Sequence, residues 1–167
     1  TEIYLPPFAA AVEAGVGSVM CAYNRLTITD APGHLAECAQ RESNSQSPDP
    51  APVDQEIIRI FEFASRCRTT YACENSFTLQ TELKGRLAFD GFAVSDWSAT
   101  HSTVGSAMAG LDMEMGVERF YGKALVAAVR DGSVPEAVVD DKAERVLRTM
   151  IRVGVFDPPP AGNVEAN

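Results

Sequence analysis

Apolar residues come in short bursts along the chain, and the bursts alternate between helical and strand-like spacing. Pro6 and Pro7 precede Phe8-Ala-Ala-Ala-Val-Glu-Ala, which predicts a short helix that Gly15 closes in a left-handed conformation. Ser18-Val-Met-Cys-Ala-Tyr predicts a buried strand. After a capping Asn75 or Ser76, Leu79, Leu83 and Leu87 recur at i, i+4 and i+8, the stripe of a core-facing helix. Phe92-Ala-Val-Ser reads as a second strand, ending at Asp96-Trp97. Thr100 to Ala109 predicts a small-residue helix, Leu111-Asp-Met-Glu-Met a third strand, and Tyr121 to Arg130 another helix. Ser133-Val-Pro-Glu136 has capping-box spacing and opens a helix whose Val138, Val139, Ala143, Val146, Leu147 and Met150 share one face.

This alternation of near-continuous apolar strands with helices predicts an α/β fold with a parallel sheet covered by helices. Three strands are few for a stable domain, so the pattern reads as a piece of a larger one. Residues 27 to 69 break the texture. They hold four of the ten prolines and a polar run from Arg41 to Asp49, followed by one candidate amphipathic helix from Val53 to Arg66. A structureless connection of that length is uncommon inside a compact domain, and it reads as an insert. Residues 158 to 167, opening with Pro158, Pro159 and Pro160, read as a linker or tail.

Composition narrows the classes. The 167 residues are 46% hydrophobic, which excludes a disordered tail. No apolar run approaches the roughly 20 residues of a spanning helix, so a membrane is not expected as a partner. The net charge of −9 disfavours a phosphate backbone, so neither is nucleic acid. Cys21, Cys38, Cys67 and Cys73 allow three pairings in an oxidising compartment. No C-x-x-C pair exists, and neither His34 nor His101 has metal-ligand spacing, so no metal or organic cofactor is expected.

Several chemistries fall away. Gly15-Val-Gly17 starts like a dinucleotide fingerprint, but it precedes a strand and has Met20 where the last glycine belongs. No G-x-S-x-G elbow supplies a serine nucleophile. His101 is a lone histidine, and a local hydrogen bond is its expected role. In parallel α/β folds the polar residues at strand C-termini line the site. Here those are Tyr23-Asn24, Ser95-Asp96-Trp97, and Asp112 with Glu114. A carboxylate beside an aromatic face is what sugar chemistry requires, although Asp96 could equally cap the next helix. For Asp112 and Glu114, interior salt-bridging or loop-fixing is the expected role.

Five ordered blocks carry a resemblance. Leu5-Pro-Pro-Phe, Ala14-Gly-Val-Gly-Ser-Val-Met-Cys-Ala-Tyr-Asn24, Tyr71-Ala-Cys-Glu-Asn75, Gly91-Phe-Ala-Val-Ser-Asp-Trp-Ser-Ala-Thr-His101 and Ala109-Gly-Leu-Asp-Met-Glu-Met115 closely resemble the β-glucosidase branch of glycoside hydrolase family 3. The resemblance implies that residues 1–157 are the C-terminal portion of a (β/α)8 TIM-like barrel with an irregular insert. It implies a retaining hydrolase of terminal β-linked glucose, with Asp96 as nucleophile. Trp97 is similar to the residue that packs against the sugar, and Met20 and Tyr23 to residues lining the glucose subsite. Tyr23 is further expected to hold the nucleophile carboxylate, and Cys21 and Cys73 resemble a pair that bridges neighbouring segments in secreted members. The implied partners are a β-glucoside or cello-oligosaccharide and a second domain of the same polypeptide, and the implied location is extracellular.

The departures are equally specific. The family's acid/base glutamate belongs to that second domain, so the chain alone is expected to be inactive. Roughly 40 residues stand where the family has a few; residues 27–69 are either a lid over the site or retained intron sequence, the composition favouring the latter. The rivals are β-xylosidase or β-N-acetylglucosaminidase specificity, or a non-catalytic carbohydrate-binding remnant. Trp97 directly after Asp96 favours glucose.

Overall fold

Ser18–Cys21 (β1) and Phe92–Ser95 (β4) lie side by side in parallel, with Ser18 opposite Phe92 and Cys21 opposite Ser95. The protein is described by a computed structural model over residues 3–29 and 67–158. Between the two strands the chain passes through Arg25–Thr29 (β2), Cys67–Tyr71 (β3), a 3-10 turn at Ala72–Glu74 and a π-helix at Phe77–Arg86. Both parallel strands were expected; β1 stops at Cys21, which leaves Tyr23 and Asn24 beyond its end. It is also an edge strand among the described residues, so Met20 is exposed, in contrast to the buried strand expected.

The third expected strand is reduced to one parallel bridge, Val94 to Met113. Its backbone still runs along β4: Met113 N donates to Ala93 O at 3.0 Å and Ser95 N to Met113 O at 2.9 Å. β1, β4 and the Met113 segment thus keep the expected parallel direction, and the described strands form no closed barrel.

A second correction concerns the edges of the expected insert. β2 and β3 pair antiparallel from Arg25 opposite Tyr71 to Thr29 opposite Cys67, so 27–29 and 67–69 are ladder residues. Thr27 and Thr69, directly opposite, share a hydroxyl hydrogen bond at 2.9 Å. The helix expected over Val53–Arg66 and most of the insert lie outside the described residues, as do residues 159–167.

Helix α1 (Leu5–Glu13) takes Pro6 and Pro7 into its first turn, where their missing amides cost no hydrogen bond, and Gly15 follows it at φ +82°. Asn75 caps the π-helix: its Oδ1 accepts the Thr78 amide at 2.9 Å. Leu79 and Leu83 are buried as their spacing implied. Phe89, Ala93, Leu111 and Val134 join them in the core.

Three helices follow: α2 (Val104–Ala109), α3 (Lys123–Arg130) and α4 (Glu136–Arg152), the first two shorter than expected at their N-terminal ends. The capping box at Ser133 does not form; no side chain caps α4. Its inward face is also rotated from the apolar stripe. Lys142 and Thr149 are buried, whereas Ala143 and Leu147 are exposed. Polar tethers account for the rotation. Lys142 Nζ donates to Ala107 O at 2.8 Å, and Arg145 Nη1 donates to Phe89 O and Gly91 O at 2.9 and 3.1 Å. A shallow groove on the outward face, lined by Ala143, Leu147 and Ile151, contains none of the expected site residues.

Candidate functional site

Asp96 follows the last residue of β4 and is half-buried at the strand's end. Its amide donates to Cys21 O at 2.9 Å, one last rung beyond the β1–β4 ladder. Its Oδ1 accepts the Trp97 amide at 2.6 Å. Asp96 O accepts the Ala99 amide at 3.0 Å, closing a turn in which Ser98 has φ +62°. That conformation favours glycine, so a serine here is held by its surroundings. Ser98 N donates to Met115 O at 3.3 Å, which supplies part of the hold.

Tyr23, two residues beyond β1, reaches the same place. Hydrogen bonding to the Asp96 carboxylate, then partial burial and the carboxylate's charge, raises its phenol above the ordinary range. The proton therefore stays on Tyr23. Trp97 is 63% exposed, a free aromatic face beside the carboxylate. Met20 pairs in register with Val94, two positions before Asp96, and is itself exposed. β1 and β4 thus bring Tyr23, Asp96 and Trp97 together and place Met20 on the neighbouring strand.

The other carboxylates are committed elsewhere, in the roles expected of them. Asp112 is sealed: Oδ1 lies 2.6 Å from Lys84 Nζ and Oδ2 accepts the Ala93 amide at 2.7 Å. Lys142 Nζ stands 4.0 Å from the same carboxylate. Desolvation lowers both lysines, Lys142 to about 8, with Asp112 opposing the shift. Glu114 accepts the amides of Phe120 and Tyr121, at 2.7 Å for the latter, and fixes the loop after Met115.

The disulfide implied for Cys21 and Cys73 is present, tying the end of β1 to the 3-10 turn after β3. His101 makes the local contact expected of it, its Nδ1 2.8 Å from Ala99 O. Sequence reading missed its other contact. The imidazole stacks on Tyr71 with ring centroids 3.5 Å apart, and the Arg25 guanidinium lies 5.1 Å from the same tyrosine ring. This sandwich docks the β2–β3 ladder against the loop that follows Trp97. No spacing links Arg25, Tyr71 and His101; only the ladder register brings the first two together. Among the described residues, no group of three or more His, Cys, Asp or Glu is placed to hold a metal ion. Nor is any helix there long and apolar enough to cross a membrane.

The family described as "Glycosyl hydrolase family 3 N terminal domain" matches residues 55–149. The match opens within the stretch expected to be an insert. Beta-glucosidase 1 of Aspergillus aculeatus is 36% identical over 95% of this chain, which covers 15% of that protein. The crystal structure of a beta-D-glucoside glucohydrolase from Trichoderma reesei superposes with a TM-score of 0.66 at 36% identity, over 94% of this chain and 17% of that one. DesR, a beta-glucosidase from Streptomyces venezuelae solved in complex with D-glucose, gives 0.65 at 29% identity, over 98% of this chain and 17% of its own. The chain therefore spans about one-sixth of the length of the relatives it matches.

Proposed function

The chain belongs to glycosyl hydrolase family 3, and from that premise we propose that it forms part of the barrel domain of a retaining β-glucosidase acting on terminal non-reducing β-D-glucosyl residues. One observation carries the reading. Asp96 stands just past the C-terminal end of a parallel strand, near enough to Tyr23 to raise its phenol and next in sequence to the exposed Trp97.

In this mechanism Asp96 attacks the anomeric carbon, and the bond to the departing oxygen breaks as that oxygen takes a proton from a carboxylic acid. The covalent glucosyl ester is then cleaved by water, which gives its proton to the same group and releases glucose and ionised Asp96. Tyr23 faces the carboxylate with its hydroxyl and orients it for attack. Trp97 offers the stacking face, and Met20 lines the glucose subsite. The acid/base lies outside this chain, on a second domain of the same polypeptide. Asp112 and Glu114 support that placement, because both are held by lysine or backbone amides. The substrate is a β-glucoside or cello-oligosaccharide, and the Cys21–Cys73 bond suits secretion.

The test uses the enzyme that carries this chain. Asp96→Ala abolishes hydrolysis of an aryl β-glucoside, and added azide restores aglycone release while forming an α-glucosyl azide. Full activity in that variant would refute the assignment of Asp96. Turnover of an aryl β-xyloside or N-acetylglucosaminide in preference to the glucoside would replace glucose by that sugar. Sugar binding without turnover by the unmutated enzyme would make it a carbohydrate-binding remnant.

A further inference from the structure

Trp97 is mostly exposed, so burial does not fix its ring. What fixes it is the neighbouring chain. Met115 N donates to the buried Ser95 Oγ at 2.9 Å, and Met115 O accepts the Ser98 amide. Met115 is thus bonded to residues on both sides of Asp96-Trp97. The next residue, Gly116, has φ +104° and passes directly beside the indole. A Cβ there would stand 3.1 Å from Trp97 Cδ1 and 3.5 Å from both Trp97 Nε1 and the Ser98 amide nitrogen. Glu114, on the other side of Met115, holds the amides of Phe120 and Tyr121 and so closes the loop that contains Gly116.

We propose that Gly116 is a positioning residue for Trp97: the space left by its missing side chain is the seat of the indole edge, and Glu114 and Ser95 hold that seat in place. Two features require glycine, the positive φ and the approach of the ring. A methyl group at 116 is met on one side by backbone bonded to β4 and on the other by a ring facing solvent. The ring moves. Its consequence for sugar binding rests on the reading of Trp97 as the stacking face; the seat itself does not.

Trp97 is the sole tryptophan of the chain, so its fluorescence, selectively excited, reports this one contact. The full chain is compared with Gly116→Ala and with Gly132→Ala. Gly132 also has positive φ (+82°), but nothing lies within 4 Å of its added Cβ. The control therefore carries the same kind of backbone strain without the ring. In Gly116→Ala the acrylamide quenching constant is expected to rise about 1.5-fold or more and the anisotropy to fall, as the side chain gains fast motion. Gly132→Ala should leave both unchanged. Equal changes in the two variants, or none in Gly116→Ala, would overturn the seat. Should Gly116→Ala not fold, Glu114→Ala replaces it, since it removes the acceptor of the Phe120 and Tyr121 amides and loosening the loop must free the same ring; unchanged anisotropy there overturns the proposal as well. No sugar enters this measurement, so its failure is distinct from a failure of the glucosidase reading.

Discussion

Lys84 and Asp112 form a 2.6 Å ion pair whose side chains are 4% and 0% exposed, and the other Asp112 oxygen holds the Ala93 amide of β4. The pair joins the π-helix to β4, the strand that Asp96 follows. Removing one partner strands a buried charge, so Asp112→Ala is expected to cost about 3–5 kcal/mol. Urea unfolding measures it. A loss below about 1 kcal/mol would show that water compensates the lysine, as at an exposed pair.

The two buried lysines also set a pH dependence. Burial holds Lys142 at about 8 and lowers Lys84, while the unfolded chain keeps both protonated to about 10.4. Between those values the unfolded state binds more protons, so stability rises with pH. Above about 10 it falls, because the buried Tyr121 phenol, raised in the fold and donating to Leu111 O, ionises first in the unfolded chain. The melting temperature should climb from pH 7.5 to about 9.5 and then decline. Lys142→Met should flatten the climb; an identical profile would assign it to other groups.

Sequence pattern found the parts of the fold that rest on local rules. Asn75 caps because its carboxamide reaches Thr78, and Gly15 turns because it lacks a Cβ. β4 with Asp96 at its end was equally legible, since four short residues between Gly91 and a carboxylate leave little choice. The failures come from long-range terms. Part of the β2–β3 ladder falls inside the expected insert because a proline-rich composition hides the alternation of Leu26 and Ile28. The inward face of α4 was misplaced because apolar periodicity does not anticipate lysine and arginine donating to buried carbonyls, as Lys142 and Arg145 do. Tyr23 and Asp96 at one end of the strands followed from the strand-terminus rule, and the hold of Tyr23 on the carboxylate from family resemblance; Gly116 beside Trp97 followed from nothing in the spacing.

Tyr23→Phe, made in the enzyme that carries this chain, removes a donor to a charged carboxylate. Such a bond is worth roughly 1.5–3 kcal/mol. At 1.36 kcal/mol per factor of ten, kcat should fall roughly 10–100-fold. Steady-state kinetics on an aryl β-glucoside reads this. An unchanged kcat would leave Tyr23 as a wall residue without influence on Asp96.

The chain of 167 residues is expected to show no glycosidase turnover by itself. A retaining reaction needs two carboxyl groups roughly 5–5.5 Å apart. Asp112 is sealed against Lys84 and Glu114 is occupied by loop amides, so neither is free to protonate a departing oxygen. Assay of the purified chain with an aryl β-glucoside, beside its Asp96→Ala variant, measures this. Turnover that the substitution abolishes would place the acid within these residues.

Asp96 is proposed to form the covalent bond to sugar. A 2-deoxy-2-fluoro glucoside with an activated leaving group traps that ester in the enzyme carrying this chain, because the fluorine slows its hydrolysis. Proteolysis and mass spectrometry then locate the label. One fluoroglucosyl group per enzyme, on Asp96, is expected. A label on Asp112, on Glu114 or on any residue outside the turn that follows β4 would contradict that assignment.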